Sequence, residues 1–183
     1  MSDRDEFPRP IDDAAAHLEP GTVLPARTLP ATDDTGIDLA ALQGRSVVIV
    51  YPWTGRPDQA NPPDWDVIPG AHGSTPELEG FRENHADFLR LGVRLFGLSR
   101  QTTEYQRELA ARLALPFPIL SDAEGRFAAA LRLPSFATGR EAYLQRLTLV
   151  IEDGRIETVF YPVPTPACHA AEVLLWLQRQ LER

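Results

Sequence analysis

One run of residues restricts the fold of this chain more than any other. Residues 46–51, Ser-Val-Val-Ile-Val-Tyr, are mostly apolar and β-branched without alternation, and Pro52 ends the run. A continuous run of this kind is typical of a central strand covered on both faces, because a half-exposed strand alternates polar and apolar residues. The sequence therefore predicts an α/β domain with one sheet between two layers.

Further strands and helices are predicted to alternate along the rest of the chain. Apolar residues recur at spacings of three and four in the predicted helices, and Asp-Gly at 153–154 is a strong hairpin signal. The predicted elements are a helix over 76–91, a strand over 93–99, a helix over 103–113 with Thr103 as its cap, a strand over 117–120, a short helix within 121–133, hairpin strands over 145–151 and 156–161, and a C-terminal helix that Thr165-Pro166 opens. This order favours a mixed sheet flanked by helices.

Two segments stand apart from this pattern. Residues 1–20 are acidic and punctuated by proline, and they predict an extended or mobile arm, which could hold a short helix over 11–18, in front of a single domain over 21–183. Residues 53–73 hold prolines and glycines too densely for a helix or a central strand, and they predict a long irregular loop. Trp53 and Trp65 in this loop could cover the mouth of a site, form a dimer contact, or pack within the loop itself.

The composition excludes several classes of function. The net charge of −8 disfavours nucleic acid and anionic membrane surfaces as partners. The absence of lysine excludes Schiff-base chemistry, and the single cysteine, Cys168, excludes an intrachain disulfide. The four histidines are scattered, so we expect no metal, and no glycine-rich phosphate loop is present, so we expect no phosphate-bound cofactor. No run reaches the roughly 18 apolar residues of a membrane span and no secretory leader is recognisable, which predicts a cytoplasmic protein.

Four short segments follow the order and spacing of one known family. They are Gly21–Pro25 with Leu39–Arg45, Val47–Pro52, Phe117–Gly125, and Arg146–Gly154. Together they resemble the peroxiredoxins of the AhpC/TSA redoxin group, nearest the bacterioferritin-comigratory or Q-type branch. The resemblance implies a thioredoxin-like fold with an N-terminal β-hairpin and a long proline-rich active-site loop. It also implies a hydroperoxide substrate, a thiol reductant, no cofactor, and a homodimer as a family expectation.

In that family a cysteine in the first turn of a helix attacks the peroxide as a thiolate, which helix placement and an arginine favour. Pro52 and Arg146 match the family proline and arginine. Residues 69–76, Pro-Gly-Ala-His-Gly-Ser-Thr-Pro, match the active-site segment, which places Ser74 where the reactive cysteine stands. The resolving cysteine of the Q-type branch falls at Glu79.

The family template also contains a hydroxyl side chain near the reactive cysteine. In this sequence that position is Ala71, which has no hydroxyl, and Thr54 could supply one if the loop folds back. A serine hydroxyl is too weakly acidic and too poor a soft nucleophile to replace a thiolate. The resemblance therefore implies a thiol-dependent peroxidase that is inactive as written. Ser74 could be an engineered replacement of cysteine, or a natural residue of a non-catalytic redoxin that binds a partner or ligand.

Each of these residues also has a purely structural interpretation. Ser74 and Glu77 fit a capping box at the start of a helix. Arg146 could pair with a carboxylate at a strand end, and Pro52 could simply terminate its strand. Cys168 is more typical of a small packing residue than of a relocated reactive thiol.

Overall fold

The structure, a computed structural model, describes residues 13–182. Its centre is a five-stranded sheet in the spatial order β5-β4-β3-β8-β9. The strands are β3 (Arg45–Val50), β4 (Arg94–Ser99), β5 (Ile119–Ser121), β8 (Leu147–Glu152) and β9 (Arg155–Phe160). Strands β3, β4 and β5 are parallel, whereas β8 is antiparallel to both β3 and β9. The sheet is therefore mixed, and the run that opened the sequence analysis forms its middle strand.

Within residues 13–182, two small hairpins and five helices surround this sheet. The hairpins pair β1 (Thr28–Pro30) with β2 (Gly36–Asp38), and β6 (Ser135–Thr138) with β7 (Glu141–Leu144). The helices are α1 (Ser74–Glu83), α2 (His85–Arg90), α3 (Thr103–Arg112), α4 (Arg126–Leu131) and α5 (His169–Leu181). Short 3₁₀ turns lie at Leu39–Ala41, Trp65–Val67 and Pro166–Cys168.

Alternate residues of β3 feed two separate cores. Val47 and Ile49 point into a core that is built with α1, α2, α3 and α5. Val48 and Val50 point into the opposite core, which holds α4 and the N-terminal hairpin. Because side chains of a strand alternate between its two faces, a strand buried on both sides must be apolar throughout. The thioredoxin-like α/β architecture predicted from the sequence is confirmed.

The structure corrects several predicted boundaries. The helix expected over 76–91 is two helices, α1 and α2, with Asn84 between them. The side-chain amide of Asn84 donates to the Gly80 carbonyl oxygen at 2.8 Å. Thr102 rather than Thr103 caps α3, since its hydroxyl accepts from the Tyr105 amide. The hairpin of β6 and β7 was not predicted from the sequence.

The predicted arm over residues 1–20 lies in part outside the described residues, since these begin at residue 13. Within the described part, Ala15 and Leu18 are buried in the core that contains α4. The His17 ring nitrogen lies 3.0 Å from the Leu131 carbonyl oxygen. Residues 13–20 therefore pack on the domain.

None of the described helices combines the length and the apolar character that a membrane crossing requires. Among residues 13–182, no group of three or more histidine, cysteine or acidic side chains is placed to hold a metal ion.

Candidate functional site

Helix α1 begins at Ser74 because of the residues on either side. Gly73 is its N-cap, with φ of 107°, in the left-handed region that favours glycine. A side chain at Gly73 would also collide with Pro166, whose Cγ would lie 2.8 Å from the added Cβ. Pro76 fits the first turn, where a helix needs no amide donor. Ser74 is thereby fixed as the first helical residue, 3% exposed.

Arg146 joins this helix start to the end of the loop before it. Its Nη2 donates to the Ser74 Oγ at 3.1 Å, to the His72 carbonyl oxygen at 3.0 Å and to the Gly70 carbonyl oxygen at 3.4 Å. The guanidinium comes from the residue just before β8, next to the central strand in the sheet. A residue 72 positions away in sequence from Ser74 therefore holds the backbone around it in place.

Glu77 completes a buried ion pair one turn into α1. Its Oε2 accepts a hydrogen bond from Arg146 Nη1, and both side chains are almost fully buried. Burial raises the pKa of Glu77 to about 7, although contact with Arg146 opposes that rise. Glu77 Oε1 and Arg146 Nε are buried and have no hydrogen-bond partner among the described residues. The pair is thus tightly placed but not fully satisfied.

The capping interpretation of Ser74 and Glu77 is wrong. No side chain caps α1, and the Ser74 hydroxyl accepts from Arg146 instead. Glu77 is directed into the domain toward the same arginine. From the sequence, Glu77 was assigned only to the helix cap. Its position one turn after Ser74, in the family's active-site segment, could have suggested it as a partner for Arg146. The structural interpretation in which Arg146 pairs with a carboxylate is confirmed, and the carboxylate is that of Glu77, one turn after Ser74.

A cavity of about 230 Å³ opens beside Ser74. Thr54 and Ala71 line it, together with Trp53 and Trp65 of the long loop. The loop does fold back to bring Thr54 to this cavity. The Thr54 hydroxyl donates to the Gln101 side-chain oxygen at 3.3 Å. Ala71 offers no hydroxyl, and Thr54 is therefore the loop hydroxyl that shares the cavity with Ser74.

The other two predicted site residues lie apart from Ser74. Pro52 is buried and lines a neighbouring cavity of about 240 Å³, which also contains Trp53. Glu79 lies in the middle of α1, half-buried, with no hydrogen bond or ion pair to any described residue. The structure therefore joins Arg146 to Ser74 by a hydrogen bond and places Thr54 in the cavity beside Ser74, although Arg146 does not line that cavity. Pro52 lies at the neighbouring cavity, and Glu79 lines neither.

Trp65 anchors the proline-rich loop. It is 3% exposed, and its ring centroid lies 5.4 Å from that of Trp53, 5.7 Å from that of Phe136 and 5.0 Å from that of Tyr143. Phe136 and Tyr143 belong to the β6–β7 hairpin. The two tryptophans contact each other, and Trp65 joins the loop to this hairpin, so packing fixes the wall of the cavity.

Cys168 and His169 lie at the junction of the Pro166–Cys168 turn with α5. Cys168 is exposed, which is not the packing role favoured from the sequence. His169 is buried between Phe81 and Phe160, and its Nε2 lies 2.9 Å from the Thr148 hydroxyl. Burial lowers the pKa of His169, against its contact with Glu172.

The chemical capacity of the site follows from these contacts. A cationic guanidinium and the N-terminus of a ten-residue helix both favour electron-rich atoms near the Ser74 hydroxyl. Among the described residues no thiol contacts Arg146, since its bonds go to Glu77, Ser74 and two carbonyls. The Ser74 hydroxyl is therefore the side-chain group that the first residue of α1 places in this cationic environment.

Comparison with known proteins gives a consistent result. The sequence profile of the family described as Redoxin matches residues 19–174. Peroxiredoxin Bcp of Escherichia coli is 27% identical over 165 residues, which are 88% of this chain and 96% of that protein. The chloroplastic peroxiredoxin Q of Sedum lineare is 26% identical over 167 residues, covering 89% of this chain and 80% of its own length.

Solved structures are similar in fold. The peroxidoxin BcpB of Mycobacterium tuberculosis superposes with a TM-score of 0.72 at 24% identity, covering 89% of this chain and 98% of that one. A cysteine-to-serine mutant of PrxQ from Xylella fastidiosa superposes with a TM-score of 0.73 at 22% identity, covering 90% of this chain and 98% of that one. At this level of identity the likeness concerns the fold.

Proposed function

Since this chain belongs to the redoxin family, within the bacterioferritin-comigratory and Q-type branch of the peroxiredoxins, we propose that it is a non-catalytic peroxiredoxin-like protein. Its site binds a hydroperoxide or a similarly small oxygen compound without reducing it. The relatives named above are peroxiredoxins by description, and this chain differs from the family pattern at the residue that carries the reaction.

One observation carries this proposal. A serine hydroxyl, held at 3.1 Å from Arg146, occupies the first residue of α1. Reduction of a peroxide by this family requires a thiolate that attacks one oxygen, breaks the oxygen–oxygen bond and becomes a sulfenic acid. A neutral hydroxyl has neither the charge nor the polarisable electron pair for that attack. The binding groups are kept and the nucleophile is absent.

Cys168 does not replace the missing thiol in this proposal. It lies in the Pro166–Cys168 turn, its side chain is exposed, and it does not line the cavity beside Ser74. Peroxide chemistry gains most of its rate from groups that hold both peroxide oxygens in line. An exposed thiol without such partners should react like a free thiol in solution.

Several properties implied by the family remain part of the proposal. No sulfenic acid can form at Ser74, so we expect this protein to need no thiol reductant. We keep the cytoplasm as the proposed location and the homodimer as the proposed assembly. Nucleic acids and membranes are not proposed as partners because of the net charge of −8.

The test compares peroxide consumption by the chain and by its Cys168→Ser variant. Both are incubated with hydrogen peroxide or cumene hydroperoxide and excess dithiothreitol, and the loss of peroxide is followed against dithiothreitol alone. We expect neither protein to exceed the thiol background beyond what one free cysteine contributes. Faster consumption that survives Cys168→Ser would show catalysis without a protein thiol. Faster consumption that disappears in this variant would make Cys168 the reactive thiol. Either result refutes the proposal.

Binding is tested separately from turnover. Amide NMR spectra are recorded during titration with tert-butyl hydroperoxide, and saturable shifts are expected at Ser74, Thr75 and Ala71. The matched control is Ser135→Ala, on the exposed side of β6. A Ser74→Ala change should weaken the shifts, whereas the control should leave them unchanged. Shifts that are absent, or that do not saturate, contradict the binding part of the proposal.

A further inference from the structure

A second cavity, of about 240 Å³, lies at the carboxyl ends of the parallel strands. Pro52 and Trp53 follow β3 in its wall, and Arg100 follows β4. Glu141 and Tyr143 of the β6–β7 hairpin form the opposite side. The carboxyl ends of parallel strands are where open α/β sheets commonly bind small molecules. Ser74 does not line this cavity, so its chemistry is separate from that of the site already described.

Its aromatic walls are held in place from behind. Trp53 and Tyr143 both pack on the buried Trp65, with centroid distances of 5.4 Å and 5.0 Å. Tyr105 also lines the cavity, and its hydroxyl donates to the Thr54 carbonyl oxygen at 2.9 Å. These rings are fixed before any ligand arrives, and they offer flat apolar surfaces for an apolar group.

Two opposite charges in this cavity lack partners. Within residues 13–182, no hydrogen bond or ion pair reaches the side chain of Arg100 or that of Glu141, and the two do not pair with each other. The Nε of Arg100 is buried without an acceptor. Its guanidinium is packed over Gly125, where an added Cβ would lie 3.1 Å from Cζ. Packing therefore holds a cation in the cavity wall without neutralising it.

The polar groups beside these charges are already used. The Gln101 side chain is bonded to Thr54 at both ends, since its Nε2 donates to the carbonyl at 3.2 Å and its Oε1 accepts from the hydroxyl at 3.3 Å. The Thr102 hydroxyl caps α3 through the Tyr105 amide. Among the described residues, the charged side chains of this cavity without a protein partner are therefore one cation, Arg100, and one anion, Glu141.

From this arrangement we propose that the cavity binds a small zwitterion with an apolar side chain, of the chemical class of an aromatic α-amino acid. Arg100 receives the carboxylate, because its planar fork can bond both carboxylate oxygens. Glu141 receives the ammonium group, and Trp53 and Tyr143 receive the side chain. A ligand with only one of the two charges leaves the other protein charge unpaired, which lowers its affinity.

The test measures binding of three related probes by isothermal titration calorimetry and by tryptophan fluorescence. L-Phenylalanine carries both charges, phenylpropionate lacks the ammonium group, and phenethylamine lacks the carboxylate. We expect L-phenylalanine to bind about 10-fold more tightly than either analogue. This comparison uses the unmodified chain, so it does not depend on whether a variant folds. Equal affinity of all three, or no saturable binding of L-phenylalanine below about 10 mM, overturns the proposal.

Variants then assign the two charges. Arg100→Gln should weaken L-phenylalanine binding by about 10-fold or more. Glu141→Gln should weaken L-phenylalanine binding but leave phenylpropionate binding unchanged. Arg140→Gln is the matched control, since Arg140 is exposed, adjoins Glu141 and does not line the cavity. If this control weakens L-phenylalanine as much as Arg100→Gln does, the effect comes from net charge and the assignment is wrong.

Discussion

Arg146 is the residue on which the site depends. Its guanidinium contacts Ser74, Glu77 and two carbonyls of the preceding loop, and it is 4% exposed. A charge buried to this degree is tolerated only when it is paired, because the cost of leaving water is large. In a catalytic relative of this family such an arginine would act on a thiolate, whereas here its partner at the helix start is a neutral hydroxyl.

We predict that Arg146→Gln lowers the free energy of unfolding by about 3–5 kcal/mol at about pH 8, because it leaves the Glu77 carboxylate buried without its cation. Burial raises the pKa of Glu77 and Arg146 lowers it, so removing Arg146 raises the folded-state pKa further above the unfolded value. The folded variant then takes up a proton as the pH falls, and its deficit shrinks toward about pH 5. Urea unfolding at the two pH values measures this.

The matched control is Arg126→Gln, which removes an exposed arginine paired with Glu124 at 2.8 Å. Its cost should stay below about 1 kcal/mol and should not vary between the two pH values in this way. A deficit of Arg146→Gln that is no larger than that of the control, or that grows toward low pH, would contradict the assignment of Glu77 as its charge partner.

At the scale of elements, the loop over 53–73 is largely exposed but is anchored to the domain at a few buried residues, Trp65 above all. Trp65 fixes it against Phe136 and Tyr143 of the β6–β7 hairpin. The walls of both cavities depend on this contact, because Trp53 lines each of them and packs on Trp65. Element packing, and not the loop backbone alone, therefore shapes the surface next to Ser74.

We predict that Trp65→Ala costs about 3–5 kcal/mol of unfolding free energy, since it removes a large buried ring and leaves a cavity. Val67→Ala in the same 3₁₀ turn is the control, because Val67 is 78% exposed and its loss should cost less than about 0.5 kcal/mol. Thermal unfolding measures both changes, and limited proteolysis shows whether cleavage in 53–73 rises. Similar stabilities of the two variants would mean that the loop is not anchored by Trp65.

The sequence allowed the central elements to be predicted because burial on both faces leaves a continuous apolar run, as in β3, and because Asp-Gly at 153–154 marks the hairpin of β8 and β9. The β6–β7 hairpin was missed since its strands have four residues each and are only partly buried, so alternation is weak. The break of the predicted 76–91 helix at Asn84 was missed because its apolar periodicity continues across the break.

The site was predictable only as far as the resemblance reached. Ser74 and Arg146 followed from matched segments, but the partnership of Arg146 with Glu77 joins residues 69 positions apart and leaves no local pattern. The place of Thr54 beside Ser74 depends on how the proline-rich loop folds back. Hydrophobic periodicity predicts helices and strands but not the path of such a loop. Arg100 and Glu141 have no sequence signal, because their significance lies in the partners they lack.

At the scale of the whole molecule, one sheet separates two apolar cores and connects them. Residues of β3 alternate between the cores, and β8 does the same, with Val150 in one core and Leu149 in the other. If the helices on either face of the sheet detached, the apolar side chains on that face of β3 and β8 would become exposed to water. This shared sheet argues that the domain unfolds as one unit.

We therefore predict that far-ultraviolet circular dichroism and tryptophan fluorescence give the same urea midpoint, as expected for cooperative unfolding. The fluorescence combines Trp53 and Trp65 at the loop with Trp176 on α5, which packs against Phe160 at a centroid distance of 6.1 Å. Midpoints that differ would show that the loop and its site unfold before the sheet.

The central proposal, that this domain keeps a peroxide-binding site and lacks the nucleophile of the reaction, is tested most directly by the Ser74→Cys variant. The chain is treated with one equivalent of hydrogen peroxide, and mass spectrometry follows the gain of one oxygen at residue 74 and at Cys168 in the same molecules. Because Arg146 and the start of α1 are already in place, we predict oxidation at residue 74 about 100-fold faster or more than at Cys168. Equal rates at the two cysteines would contradict the claim.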